Sequence, residues 1–233
     1  MKLTGILNPA RRRGIEILDD PLVDPEVMRR SMRDVELANV VFGGRRAAIA
    51  ELAPILKSLE GSASMLDVGT GRGDIPAAAR TLALKTGLSL STIGIDISEP
   101  LVSASDAGND FMIRGDAFHL PFGDGSIDIV LASQILHHFT ADQAAEAVRE
   151  MSRVARMAVV LSDLRRSFAA AAGLWISSFP LGFHPVSRHD GVISVMRGFL
   201  PAELGDIVEA ATGKRPRVQR RLGFRLTTSF APR

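Results

Sequence analysis

The chain has 233 residues and a mass of 25.0 kDa, with hydrophobic residues at 46% and charged residues at 23%. That is enough for one substantial α/β core and too little for two comfortable domains, and the balance excludes a disordered chain. Cysteine is absent, which excludes disulfides, thiolate metal sites and cysteine nucleophiles, and the formal charge is only +2.

The opening residues hold no apolar core of signal-peptide length, and no later window approaches the roughly 18 apolar residues of a membrane helix. A cytoplasmic protein with no membrane partner is expected. Residues 1–62 read as an N-terminal helical cap without strand pattern. Asp24-Pro25 supply a cap and first turn, and Val27, Met28, Met32, Val35 and Ala38 recur at helical spacing. Gly43-Gly44 breaks that helix and a second runs from about 45 to 59. Both are expected to cover the domain that follows over 63–233.

From residue 64 onward, strand-length apolar runs alternate with amphipathic helices: MLDVG, IPAAARTLALK, LSTIGID, a short helix, FMIRGDA, IDIVLAS, DQAAEAVREMSRV and MAVVLSD. Thr140 and Gln143 mark a helix start as a capping box. A helix between Pro201 and Gly213 and two strands, about 216–221 and 224–230, complete the chain. The pattern predicts a doubly wound α/β domain with a mostly parallel seven-stranded sheet and an antiparallel last strand. Residues of about 164–198 hold the only Trp, His184, His189 and several Gly and Pro. They are expected to form a substrate lid over the carboxyl ends of the strands. Lys214, Arg215, Arg217, Arg220, Arg221, Arg225 and Arg233 follow with no acid between them. A solvated basic edge on a nearly neutral protein is preferred to a nucleic-acid footprint.

The segment from Met65 to Asp74, MLDVGTGRGD, turns from strand to helix. Gly69, Gly71 and Gly73 let backbone approach a ligand, and the helix start offers unpaired N–H groups. The spacing is G-x-G-x-G with Asp67 two residues ahead, unlike the G-x-G-x-x-G of dinucleotide dehydrogenases. An acid there would repel pyrophosphate and suits a ligand carrying ammonium and sulfonium charge. Asp96 ends the next strand, placed for two ribose hydroxyls, with Ile97 beside it for an adenine face. Gly115-Asp116-Ala117, after the third strand, offers a carboxylate for an exocyclic amine and an N–H for a ring nitrogen. Each acid alone reads equally as a turn residue; the joint order at three consecutive strand ends argues for a ligand site.

With LDVGTGRGD, GIDIS, RGDAFHLPFGDGSIDIVLASQILHHF and VVLSDLRRS, the chain resembles class I, seven-stranded S-adenosylmethionine (SAM) dependent methyltransferases over about 62–165. Within them it is similar to the small-molecule branch that includes quinone-biosynthesis enzymes. The resemblance implies a SAM cofactor, with Asp67, Gly69, Thr70 and Gly71 around the methionine portion. Asp96 and Ile97 would take ribose and adenine, Asp116 and Ala117 the adenine edge, and Ser133 and Gln134 would border the cofactor.

Methyl transfer chiefly requires alignment, with a general base only for a protonated acceptor. His138, in the His137-His138 pair after the fourth strand, and His189 beside Asp190 are the candidate bases. Asp163, Arg165 and Arg166 end the fifth strand and read as capping and surface charge, or as groups for an acidic acceptor. Arg45 or Arg46 is a candidate for the cofactor carboxylate. No metal is expected, because the paired acids of catechol-type methyltransferases are not matched. Met32, Met196, Phe168, Phe179, Phe183 and Trp175 are candidate lining for an apolar acceptor. The expected activity is O-methylation of a small hydrophobic, aromatic or phenolic metabolite, with a homodimer as a compatible assembly. The alternatives are an RNA methyltransferase and a non-catalytic SAM-binding protein.

Overall fold

The computed structural model describes residues 9–232 apart from 13, 21, 100, 101 and 103–107. Helix α1, Pro25–Val41, starts where the Asp24 carboxylate accepts the Glu26 and Val27 N–H groups at 2.7 and 3.3 Å. Gly43, in the left-handed region, ends it and opens α2, Gly44–Lys57. Then come β1 Ser62–Val68, α3 Asp74–Lys85, β2 Ser89–Asp96, β3 Phe111–Arg114 and β4 Ile127–Ser133. After them stand α4 Ala141–Val154, β5 Ala155–Leu164, α5 Phe168–Ser178, α6 Pro185–Arg197, α7 Pro201–Thr212, β6 Gln219–Arg221 and β7 Arg225–Phe230. Short 3-10 turns lie at Ile17–Asp19 and Leu136–His138. The short helix expected between β2 and β3 falls largely outside the described residues.

The strands form one seven-stranded sheet in the order β3-β2-β1-β4-β5-β7-β6, parallel except for β7. Its strands are apolar on both faces because helices cover both. Met65, Ile129, Leu131 and Val160 pack with Leu52 and Leu56 of α2 and Ala79 of α3. Their neighbours Leu66, Val130, Val159 and Leu161 point the other way, onto Val148 and Met151 of α4 and Leu204 and Val208 of α7. The chain order reverses between β1 and β4, so a crevice opens at their carboxyl ends, where the glycine loop emerges.

Helix α2 belongs to the sheet's flank, packed on α3, β5 and β7, with its amino end reaching the cavity through Arg46. The insertion after β5 is helical: α5 and α6 pack on each other, and α6 also meets α1 and both 3-10 turns. The segment before α1 is strapped to it. Asp190 accepts the Ile17 and Leu18 N–H groups at 2.9 Å each, and Arg197 holds Gly14 O, Glu16 and Asp19. Among the described residues no helix is long and apolar enough to cross a membrane.

The terminal basic run is dispersed by the fold. Arg215 pairs with Asp206 and Glu209, Arg225 is buried, and Arg221 reaches Glu51 of α2. Glu51, 4% exposed, also accepts the Thr227 and Ser229 hydroxyls at 2.7 Å each, so one carboxylate fastens α2 to the β6–β7 edge. Glu51→Ala strands the buried Thr227 hydroxyl and the partly buried Arg221 and Ser229 and is expected to lower the unfolding free energy by about 2–4 kcal/mol in urea titration, while Glu60→Ala, at an exposed position, leaves it within about 0.5 kcal/mol.

Candidate active site

A cavity of about 920 Å³ runs along the carboxyl ends of the strands, from the glycine loop to the space beneath α1, α5 and α6. The ten residues expected to hold the cofactor, Asp67, Gly69, Thr70, Gly71, Asp96, Ile97, Asp116, Ala117, Ser133 and Gln134, all line it.

The glycine loop is held by short-range geometry. Gly69 and Thr70 donate to Ile95 O at the tip of β2 at 2.8 and 3.2 Å, and Gly71 N donates to Asp96 Oδ2 at 3.0 Å. Gly69 has φ +70, and a side chain there would strike Ile135 at 2.6 Å. Gly71 has φ +55, and nothing lies within 4 Å of where a Cβ would stand, so a side chain would be strained and would project into open space. Thr70 Oγ1 donates to Asp67 Oδ2 at 2.8 Å and accepts from Asn109 Nδ2 at the same distance. Asp96 Oδ1 accepts Ser98 N at 2.9 Å, and Ile97 is 71% exposed, an apolar face presented to the cleft. Asp116 Oδ1 accepts Phe118 N at 3.0 Å.

The charge at this end identifies what belongs in it. Asp67 is 2% exposed, its Oδ1 has no hydrogen-bond partner, and burial raises its pKa to about 8. Asp74, at the start of α3, has an unpartnered buried Oδ2, and burial followed by the charge of Glu36 raises it as well. Two carboxylates without a contacting cation beside a side-chain-free loop fit a ligand carrying an ammonium and a sulfonium, and reject pyrophosphate.

Comparison with known proteins agrees with this geometry. Residues 66–161 match the family model described as a methyltransferase domain. That match lies within the seven-stranded sheet, whose fold is shared with solved SAM-dependent methyltransferases. It is 32% identical over 136 residues to tRNA (carboxymethyluridine(34)-5-O)-methyltransferase of Arabidopsis thaliana, a match covering 57% of this chain and 31% of that protein. It is 36% identical over 104 residues to demethylmenaquinone methyltransferase of Roseiflexus sp. (strain RS-1), covering 42% of this chain and 41% of that one. The chain thus spans less than half of these two curated relatives. Magnesium protoporphyrin IX methyltransferase of Synechocystis PCC 6803, solved with bound S-adenosylhomocysteine (SAH), shares the fold with a TM-score of 0.56 at 15% identity, covering 88% of this chain and 91% of that one.

At the other end of the cavity the structure separates residues that look alike in sequence. His137 is 4% exposed; its Nδ1 lies 2.7 Å from Asp163 Oδ1, and its Nε2 is buried without a partner. Burial holds this imidazole below its usual pKa, outweighing Asp163. Burial opposes ionisation of Asp163, but its contacts with His137 and the Leu164 N–H outweigh that and hold it below the usual carboxylate range. The pair is therefore a neutral imidazole on an ionised carboxylate. His138, the expected base, also lines the cavity, but its Nδ1 faces Asp19 Oδ1 at 3.4 Å and Arg197 Nη1 at 3.2 Å. Burial notwithstanding, Asp19 and Glu16 raise its pKa, so at neutral pH a smaller share of it than of His137 is free to accept a proton. His189 bonds Asp190 at 2.8 Å on the half-exposed side of α6 and does not line the cavity.

Glu16, His137 and His138 bring one ligand atom each within 4.8 Å of one another, a grouping invisible in sequence. The Arg197 guanidinium already lies against Glu16 at 2.8 Å and supplies positive charge there. Asp163 and Arg166 are buried and not surface groups; Arg166 pairs with Glu203 and holds Pro9 O and Gly198 O. Of the apolar candidates, Met32 and Phe183 line the cavity, Met196 is buried beside α5, and Phe168, Trp175 and Phe179 lie exposed on α5 and just beyond it. Of the two arginines, Arg46 lines the cavity.

Because Asp67 is mostly protonated at neutral pH, binding the cofactor's cation will ionise it. SAM affinity is expected to rise from about pH 6 to about pH 8 by up to about tenfold per pH unit, with release of up to about one proton in calorimetry. Asp67→Asn removes that proton release. Gly71→Val is expected to weaken SAH binding by more than about tenfold in the same titration, through strain at positive φ.

Proposed function

We propose that this chain O-methylates a small, mainly apolar metabolite with a hydroxyl of phenolic type, using His137 as the general base. The observation that carries the reading is the buried, unpartnered Nε2 of His137 at the wall of a cavity whose far end is lined by Met28, Met32, Val35, Leu174, Phe183 and Val195.

SAM supplies the electrophilic methyl group. Asp67 and Asp74 offer negative charge to the cationic end, and Asp96 and Asp116 offer acceptors for its sugar and base. Asp163 accepts the Nδ1–H of His137 and so leaves the lone pair on Nε2. Nε2 takes the proton of the acceptor hydroxyl as its oxygen attacks, and Asp163 stabilises the imidazolium that forms. The helical lid and the strap before α1 exclude water from the acceptor end.

The relative named for a tRNA substrate keeps an RNA acceptor as the second reading. The pairing of Arg215 and Arg221 with acids in this fold favours the small molecule. Radiolabelled SAM with a panel of phenols tests the reading; transfer to bulk tRNA and to no phenol overturns it. His137→Gln and Asp163→Asn are each expected to lower kcat/KM by about 10²–10⁴-fold with SAH affinity within about threefold, and His189→Gln by less than about threefold. Since burial depresses the His137 pKa, activity at saturating SAM should stay level through neutral pH and fall only below the ordinary histidine range as Nε2 protonates.

A further inference from the structure

Arg225 opens β7 opposite Leu164, the last residue of β5, and lines the cavity with Leu164, Phe224 and Gln134. It is 6% exposed, and its Nε is buried without a partner. The bond its side chain makes to protein is from Nη1 to Gly223 O at 3.1 Å. The other buried guanidiniums are answered by acids: Arg166 by Glu203, and Arg197 by Glu16 and Asp19. Arg225 makes no ion pair among the described residues. The acid whose charge it feels, Asp163, commits its oxygens to His137 Nδ1, His137 N and Leu164 N. Burial alone pushes the guanidinium down to about 10, a measure of how poorly the protein compensates it.

Three further features converge on the same corner. The amino end of α2, a 14-residue helix, lies here with no side-chain cap, so its first N–H groups are open. Built out from Gly44 in that first turn, a Cβ would lie 2.7 Å from Asn39 Oδ1, 3.1 Å from Gln134 Nε2 and 3.3 Å from Arg225 Nε, which places both donors against the helix end; Gln134 Nε2 gives one N–H to Asn39 Oδ1 at 2.5 Å and keeps its second. Gln134 and Phe224, which flank the corner, are the non-glycine residues with positive φ among the described residues, at 57° and 56°. Strain of this kind is held by its surroundings and gathers at ligand sites.

We infer that this corner, formed by Arg225, Gln134 and the amino end of α2, binds a carboxylate of the methyl acceptor, so that the substrate is a hydroxy acid and not a neutral phenol. The inference rests on the methyl-transfer reading and adds the acceptor's charge to it. Arg225 is carried on β7, three strand spacings, about 14 Å, from β1 and its glycine loop, and so on the acceptor side of the sheet. Between them, at the ends of β4 and β5, stand His137 and Asp163. A hydroxy acid would thus put its hydroxyl at Nε2 and its anion on the guanidinium, where charge-assisted hydrogen bonds meet both the unpaired Nε and the open helix end.

The test is equilibrium titration of SAH-saturated protein with 4-hydroxybenzoate, 4-hydroxycinnamate and salicylate, each beside its amide. At least one acid should outbind its amide by about tenfold or more in the native protein. Arg225→Gln should bring that ratio close to one with SAH affinity within about threefold, and Arg225→Lys should keep part of the preference. The native acid-to-amide comparison needs no variant and stands even if Arg225→Gln melts early. If no acid in the panel outbinds its amide, the inference is overturned. If Arg225→Gln instead loses SAH affinity more than tenfold and keeps the acid preference, the cation serves the cofactor's carboxylate and the inference is likewise overturned. Failure of SAH to bind the native protein overturns the methyl-transfer reading beneath it; SAH binding without acid preference overturns this inference alone.

Discussion

A carboxylate carried into the interior with no cation in contact is the constraint on which the donor half of the site depends. Asp67 ends β1 between two parallel neighbours, and the loop that follows leaves no room for water to solvate its Oδ1. An isolated charge in such a place either neutralises or finds a partner, and the free protein shows the first outcome in its raised pKa. A cationic ligand provides the second. The glycines, the Thr70 hydroxyl and the Ile95 carbonyl keep that vacancy of charge open by holding the loop to β2.

The acceptor half is organised by a different balance of the same forces. His137 and His138 are adjacent, stack at 4.3 Å between ring centroids, and titrate in opposite directions. One faces a carboxylate that also takes backbone N–H groups, behind apolar packing. The other faces Asp19 and Glu16 beside Arg197. Environment shifts one residue type in two directions, as it does for paired carboxylates in other active sites. Across the sheet, the buried carboxyl of Asp67 lies on β1 without a contacting cation, and the buried guanidinium of Arg225 lies on β7 without an ion pair among the described residues.

The acceptor end is closed by parts far apart in the chain. Asp34 of α1 accepts His184 N and the Ser187 hydroxyl at 2.8 Å each, tying α1 to the start of α6. Asp190 and Arg197 of α6 hold the segment before α1, and Arg11 reaches the carbonyls of His137 and Phe139 at 3.0 and 2.9 Å. These bonds join the strap and lid by polar contacts, and the faces turned to the cavity mix acids such as Glu16, Asp34 and Asp190 with apolar Met28, Met32, Val35 and Val195. Such a layer can open without unfolding the sheet, because few of its side chains belong to the two main cores.

The amino-acid sequence by itself determined the sheet and its covering helices, and it brought out the strand-tip acids that line one end of the cavity. Strand and helix periods are local, as are the glycine bend and the acids at strand tips, so Asp67, Asp96 and Asp116 were readable from the residues around them. It was also sufficient to place His137 and His138 near the chemistry, but not to choose between them. That choice lay with Asp163 and Asp19, brought together from 26 residues after one and 119 before the other. The position of α2 on the sheet, the inward turn of Arg225 out of an apparently basic tail, and the exposure of Trp175 and Phe179 were likewise decided by tertiary packing. Burial and the identity of the facing charge set whether an ionisable side chain is a base, a support or a binding group, and neither is a property of nearby sequence.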